Sequence, residues 1–357
     1  MKKVLLATSA LVAFAGAASA EITFSGYARF GAQYTEGKAA VAAVGATDEQ
    51  TLAVVTTAEE FGAALVAVVE AGGDATDVEI DALADAQDAY ADAVAAVTAA
   101  ETGTDAVANA TTIDQRFNVD INGSAASDNG LSFGAKVRIR SDESGDNGTA
   151  AAMNGPRFFV SASGMELAVG NIYGAIDSMP GLYSGTVGLT GLGFSNVASN
   201  FGSQTYASSG AGVNGVELMY SAGDLGLHVS TVKNAATEVA VSYAMGDMKV
   251  ALGYSNTAVA TNAEWVVSAG TKVGTIGVNL VAAQTVAGNN SMTLSGSFAA
   301  GAATTVNVYV ASDEGQTDKN AYGLGVVHNL GGGTSVRGGV ANTHGTNRAD
   351  LGVQFNF

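Results

Sequence analysis

The chain has 357 residues, of which 47 are Gly, two are Pro and none is Cys, and only 13% are charged. No disulfide framework can hold it, and a net charge of −18 excludes a basic nucleic-acid surface. That charge is local: residues 39–112 hold 14 of the 33 acids and no Lys or Arg, which leaves 19 acids against 15 basic residues elsewhere.

Residues 1–20 read as a secretory signal. Lys2 and Lys3 precede a short apolar run, Val4 to Ala15, and Ala18-Ser19-Ala20 is a small-residue cleavage site, so Glu21 is expected to begin the mature chain. The run is too short to span a bilayer as a helix, and no later uninterrupted apolar stretch is expected to reach that length. From Glu21 the sequence alternates. Ile22, Phe24, Gly26, Ala28 and Phe30 share one parity, while Thr23, Ser25, Tyr27, Arg29 and Gln33 share the other. Period two predicts a strand with one apolar and one polar face.

The alternation stops over residues 39–111. Residues 48–71 and 74–101 are Ala-rich and separated by Gly72-Gly73, and Ala and Glu favour helix. Val78, Leu83, Ala86 and Tyr90 approximate one stripe, and Asp81, Asp85, Asp88 and Asp92 an acidic one. This predicts an acidic helical hairpin inserted between the first two strands; a partly disordered acidic tract is the alternative. With a periplasmic N-terminus, the insertion would sit at the outer mouth.

Alternation resumes after residue 112. Phe117, Val119 and Ile121 oppose Arg116, Asn118 and Asp120; Phe133, Ala135, Val137 and Ile139 oppose Lys136, Arg138 and Arg140. Further strands are expected to begin near Arg157, Glu166, Val216, Gly226, Glu238, Met248, Glu264, Thr275, Ser291, Thr304, Ala321, Thr334 and Arg348, which makes sixteen in all. Alternate connections are short and rich in turn formers, such as Ser163-Gly164, Gly223-Asp224, Gly246-Asp247 and Gly331-Gly332-Gly333. The others are expected to be longer and more polar. The polar parity is unusually small, dominated by Gly, Ser, Ala, Asn and Thr. A soluble sandwich needs bulky residues between its sheets; a water-filled lumen does not. The fold class expected is therefore all-β, a transmembrane antiparallel β-barrel with its apolar face in lipid. Aromatics near strand ends (Phe24, Tyr34, Tyr220, Tyr243, Tyr254, Trp265, Phe298, Tyr322) suit interfacial girdles. In the last strand Leu351, Val353, Phe355 and Phe357 alternate with Gly352, Gln354 and Asn356, and the sequence stops on the aromatic.

Three segments carry a family resemblance: Ile22-Thr23-Phe24-Ser25-Gly26-Tyr27-Ala28-Arg29-Phe30-Gly31, Glu166-Leu167-Ala168-Val169-Gly170-Asn171, and Gly352-Val353-Gln354-Phe355-Asn356-Phe357. They resemble the Gram-negative general porins of the alphaproteobacterial, Rhodobacter type, over residues 21–38 and roughly 112–357. The resemblance implies a sixteen-stranded porin barrel over 21–357, usually a homotrimer, in the cell outer membrane with both termini periplasmic. It also implies a C-terminal signal, here Phe355 and Phe357, read by the barrel-assembly machinery, and a long third loop folded inward to narrow the pore. That loop falls on residues 177–215, where Asp177, Tyr183, Phe194 and Phe201 are candidate constriction residues, and where Pro180, Leu182, Tyr183, Phe194 and Phe201 could pin it to the inner wall. The 39–111 insertion departs from the pattern. So does the loop's shortage of acids, because Asp177 is its only one; this argues against a strong transverse field and against a calcium site.

The inward parity collects Arg29, Arg116, Lys136, Arg138 and Arg140, with Arg348 on the closing strand expected beside Arg29. Charges lining a narrow pore set ion preference; the competing reading is that they merely pair with Asp114, Asp120 and wall carbonyls. No metal site, cofactor site or nucleophile is expected. Asp142, Ser144 and Asp146 alternate as in a calcium loop, but Asn147 stands where Gly is required. His228, His328 and His344 show no motif spacing, and the Gly-rich runs lack the Lys of a phosphate loop. The function expected is passive, size-limited diffusion of ions and small hydrophilic solutes, with no catalysis. A substrate-selective channel would need more inward aromatics than Tyr27 and Tyr309. A surface structural or adhesive barrel would use the insertion as its working part.

Overall fold

The computed structural model describes residues 20–40, 43, 45–71, 76–102, 106–144, 150–192, 204–212, 214–233, 236–256, 264–285 and 287–357. Residues 1–19 of the proposed signal, Phe194, Phe201 and Asp146 fall outside them. The alternating segments form sixteen antiparallel strands: β1 Ala20–Thr35, β2 Ala110–Ala126, β3 Ser132–Ser144, β4 Arg157–Ala162, β5 Met165–Asn171, β6 Asn214–Ala222, β7 Leu225–Val232, β8 Thr237–Met245, β9 Met248–Asn256, β10 Glu264–Val273, β11 Ile276–Gln284, β12 Asn290–Ala299, β13 Thr304–Asp313, β14 Asn320–Gly331, β15 Thr334–Thr343 and β16 Thr346–Asn356. The two-residue piece Ala152–Met153 also pairs with β3 and extends β4 toward its start. Each strand pairs with its neighbours in chain order, and β16 pairs with β1, so the sheet closes on itself.

Closure is completed by the last residue. Gly26 N–H donates to the Phe357 carbonyl (2.8 Å), Phe357 N–H donates to the Gly26 carbonyl (3.0 Å), and the Phe357 ring stacks on Phe117 at 5.9 Å. Both chain ends lie with the short turns, since Asn356 N–H donates to the Gly333 carbonyl in the β14–β15 turn. The opposite end is less uniform than expected. Its connections are long after β1, β3 and β5, but the last is the two-residue turn His344-Gly345, held by positive φ at both residues (49° and 81°).

Burial is inverted relative to a soluble protein. Phe30, Phe158, Leu252, Val310 and Leu351 are exposed on the outer face, whereas Glu217, Glu238, Glu264, Ser230 and Asp313 are at most 1% exposed. An apolar exterior of that extent needs lipid around it. The expected girdle aromatics Phe24, Tyr220, Tyr243, Tyr254, Phe298 and Tyr322 lie on this exposed face.

Residues 36–110 form a separate compact unit. It holds α1 (Asp48–Ala71) and α2 (Asp77–Thr102). Each helix opens with a reciprocal cap: Gln50 N–H to Thr47 Oγ1 (3.2 Å) with Thr47 N–H to Gln50 Oε1 (2.9 Å), and Glu79 N–H to Thr76 Oγ1 (3.3 Å) with Thr76 N–H to Glu79 Oε2 (2.8 Å). Such boxes satisfy amides that the first turn leaves without a partner. The hairpin seam runs through Val54, Thr57, Phe61 and Ala64 against Leu83, Ala86, Tyr90 and Ala93, with Phe61 stacked on Tyr90 at 6.2 Å. Val78 does not join it; at 76% exposed it faces away. One expectation fails here. α1 is 24 residues long with a mean hydropathy of 1.8 over its most apolar window, so it does reach the length and composition of a membrane span, despite Glu59 and Glu60 in its middle.

Candidate functional site: the constricted lumen

β5 ends at Asn171, and the following segment turns into the barrel. Inward folding begins five residues before the expected Asp177, because Ile172 and Ile176 are fully buried. The path is written by hydrogen bonds to inward-facing side chains of the wall. Ala175 N–H donates to Ser230 Oγ (3.0 Å) on β7 and Ile176 N–H to Glu238 Oε2 (3.1 Å) on β8. Ser268 on β10 donates to the Pro180 carbonyl (2.6 Å), and Asn279 on β11 donates to the Gly181 carbonyl (3.0 Å) and Ser184 Oγ (2.6 Å). On β16, Asp350 Oδ2 accepts the amides of Leu189 (2.9 Å) and Thr190 (2.7 Å), and Arg29 Nη1 on β1 donates to the Leu189 carbonyl (3.1 Å). The loop therefore follows the inner wall from β7 round to β1.

Apolar contacts reinforce this course. Ala175, Ile176, Met179 and Leu182 pack with Ala240, Ala251, Val266, Val281 and Ala283. Val187 and Leu192 pack with Tyr309, Ala311, Ala321 and Ala341. Burying an aliphatic side chain is worth roughly 1.5–3 kcal/mol, so several of these outweigh the entropy of ordering a Gly-rich segment at those residues. The wall is small-faced here for a reason other than the water expected from composition: it is the bed on which the loop lies. A Cβ at Gly339 would stand 2.9 Å from Gly188 Cα, and one at Gly325 would stand 2.7 Å from Gly188 N. Among the expected pinning residues, Leu182 does dock. Tyr183 does not; it is 44% exposed and donates its hydroxyl to Asp177.

Five of the six expected lumen cations, Arg29, Arg116, Lys136, Arg138 and Arg140, have acid partners among the described residues. Arg29 Nε bonds Asp114 at 2.9 Å. Arg138 reaches both oxygens of Asp120 (2.6 and 3.0 Å), and Lys136 Nζ lies 3.2 Å from the same carboxylate. Arg116 and Arg140 converge on Asp142, the latter at 2.5 Å. That pairing also accounts for Asp142, whose spacing had suggested a cation loop; among the described residues no group of acids and histidines is arranged to hold a metal. Arg348 departs from expectation. It pairs in register with Thr35, whereas Arg29 pairs with Gln354. Six residues of strand separate the two levels, about 20 Å at the usual rise. Arg337 on β15 stands nearer the level of Arg29, opposite Gly352, two residues along β16 from the Gln354 that pairs with Arg29.

Sequence reading missed Arg157, buried between Glu217 (2.5 Å) and Glu166 (2.6 Å), with His228 Nε2 3.0 Å from Glu217. It also missed the two loop-holding acids, Glu238 and Asp350. Glu238 accepts Ile176 N–H on the outgoing leg and Gln204 N–H (2.5 Å) on the returning one. For Glu238 the available signal was an inward acid on a strand without Lys or Arg, since such an acid needs donors from elsewhere; Asp350, two residues from Arg348, gave no such signal.

Comparisons with known proteins agree with this geometry. A curated porin of Fuscovulum blasticum is 30% identical over 268 residues, which cover 69% of this chain and 92% of that one. A solved variant of the Rh. blastica porin superposes with a TM-score of 0.67 at 24% identity, covering 94% of this chain and all of that one. A further structure, described under the asymmetric conductivity of engineered proteins, gives 0.67 at 25% identity with the same coverage. The family model for Gram-negative porins matches residues 7–348. A closed sixteen-stranded wall with an apolar exterior, a polar lumen and a loop laid along its inner face thus belongs to a member of the Gram-negative porin family.

Proposed function

We propose that the narrow zone of this outer-membrane diffusion porin favours small anions. Passive passage of small hydrophilic solutes needs only the water-filled lumen and the loop that narrows it; the reading assigns no chemistry to the chain. Anion preference is supported by one observation above the others. On β2 and β3, Arg116, Lys136, Arg138 and Arg140 share two carboxylates, Asp120 and Asp142, so four cations face two anions in a confined, low-dielectric wall. Asp177 is the only acid in the described part of the loop, and its carboxylate is engaged by Tyr183. Arg29, Asp114 and Arg348 are assigned to the same lining, the first two as a paired strut.

The chain is also assigned to a homotrimer with periplasmic termini, and Phe355 and Phe357 to the C-terminal signal read by the barrel-assembly machinery. Reversal potentials across planar bilayers in a salt gradient test the charge preference. The expected result is an anion-leaning porin in which Arg138→Ala lowers the anion-to-cation ratio. A cation preference left unchanged by that substitution would overturn the reading.

A further inference from the structure

We propose that Tyr173 and Tyr206, on the two legs of the inward loop, set how strongly the basic wall attracts anions by capping its cations. The inference rests on the anion reading above but concerns the loop, which carries almost no charge of its own. Tyr173 follows β5 by two residues, and Tyr206 lies on the returning leg. Their ring centroids are 5.1 Å apart with planes at 34°. Lys136 Nζ sits 5.5 Å from the Tyr173 ring and 5.3 Å from the Tyr206 ring. The Arg138 guanidinium lies 5.2 Å from Tyr206, and that of Arg157 lies 4.6 Å from Tyr173. Lys136 also donates to the Tyr173 hydroxyl at 2.9 Å, and Arg138 donates to Ser208 Oγ at 3.0 Å.

This placement is built, not incidental. Asn171 exchanges hydrogen bonds with both the amide (3.0 Å) and carbonyl (2.9 Å) of Ala207, next to Tyr206. Asn154 donates to the same carbonyl (2.5 Å) and accepts the Arg138 amide (2.7 Å), tying this leg to β3. The three cations under the rings face three carboxylates, Asp120, Glu166 and Glu217. By formal count this patch is neutral, so its effect on a passing ion depends on which groups stand in front. The carboxylate of Glu217 is wholly buried, and the cations point toward the loop. An aromatic face attracts a cation through its quadrupole. Two such faces laid on Lys136, Arg138 and Arg157 spread and screen the positive field that a solute would otherwise meet. The loop then tunes selectivity without bearing charge.

The experiment uses the full-length protein in planar bilayers, with chloride salts of potassium as the probe. Tyr206→Ala uncovers Lys136 and Arg138 and is expected to raise the anion-to-cation permeability ratio about two- to fivefold, the weight of one partly exposed cation–π contact. Tyr173→Phe removes one of the two acceptors of Lys136, leaving Asp120, while keeping the ring, and is expected to produce a smaller rise. Tyr206→Phe restores the ring and should return the ratio to its original value. Liposome swelling with uncharged sugars measures bore width separately, so a wider pore is not mistaken for a charge effect. A Tyr206→Ala ratio that stays put, or that shifts toward cations, overturns the inference. The anion reading fails on different data, namely a cation-preferring parent insensitive to Arg138→Ala.

Discussion

Removing the Asp350 carboxylate should loosen the tip of the inward loop while leaving the barrel intact. Asp350 Oδ2 accepts Leu189 N–H (2.9 Å), Thr190 N–H (2.7 Å) and Thr190 Oγ1 (2.8 Å). In Asp350→Ala the Thr190 groups regain lumen water, but Leu189 N–H sits in a buried position and loses its acceptor. Hydrogen bonds to a charged group contribute about 1.5–3 kcal/mol net, and a stranded buried donor costs about 1–3 kcal/mol. Because these terms overlap, a total of about 3 kcal/mol is reasonable. At 1.4 kcal/mol per tenfold, the detached tip becomes roughly 100-fold more populated. Burial of Val187 and Leu192 and the Arg29 bond to Leu189 oppose full release. Single-channel recording should therefore show larger open-level fluctuations, and liposome swelling a raised size limit, while thermal unfolding of the barrel changes little, since no ladder bond is lost. Asp350→Asn should fall between the two. Current noise and size limit identical to those of the parent would refute the reasoning.

Other perturbations probe different links. Gly339→Val places a side chain where Gly188 Cα would be 2.9 Å from the new Cβ, so the loop must lift. A larger conductance in a protein that still migrates as a folded barrel on unheated gels is expected, and unchanged conductance would contradict the docked path. In the helical unit, the bonds from Thr76 hold the Glu79 carboxyl below its ordinary range. A depressed acid stabilises above its unfolded value near 4.5 and loses that contribution as pH falls through the lowered one. Circular dichroism should show helix fraying on acidification below that value, and Thr76→Ala should flatten the step; a pH response that is the same with and without Thr76 would count against the cap.

The fold was legible because a membrane wall imposes a simple code. Strands begin within two residues of most expected starts, as at Arg157, Glu238, Met248, Glu264, Thr304 and Thr334. Period-two alternation is a local property, and turn glycines punctuate it. The helical insertion was legible from Ala content, though its Thr47 and Thr76 caps were overlooked. The lumen was read in part. Arg29, Arg116, Lys136, Arg138 and Arg140 do share one stretch of wall, because parity assigns each to a face and short hairpins fix its neighbours. Arg348 was misplaced because parity says nothing of height. Register around a closed sheet shifts from strand to strand, and that shift puts Gln354, not Arg348, opposite Arg29.

The course of the loop was beyond sequence reading. Its anchors, Glu238, Ser268, Asn279 and Asp350, are each one unremarkable polar residue in a separate strand, up to 161 positions from the backbone group they bind. What the amino-acid order determines by itself is which residues meet lipid and which meet the lumen, since a pleated backbone sends successive side chains to opposite sides. Which lumen residues touch one another is decided by closure, tilt and register of the whole wall. The loop takes its inward course only once that wall has brought distant donors and acceptors to a common surface.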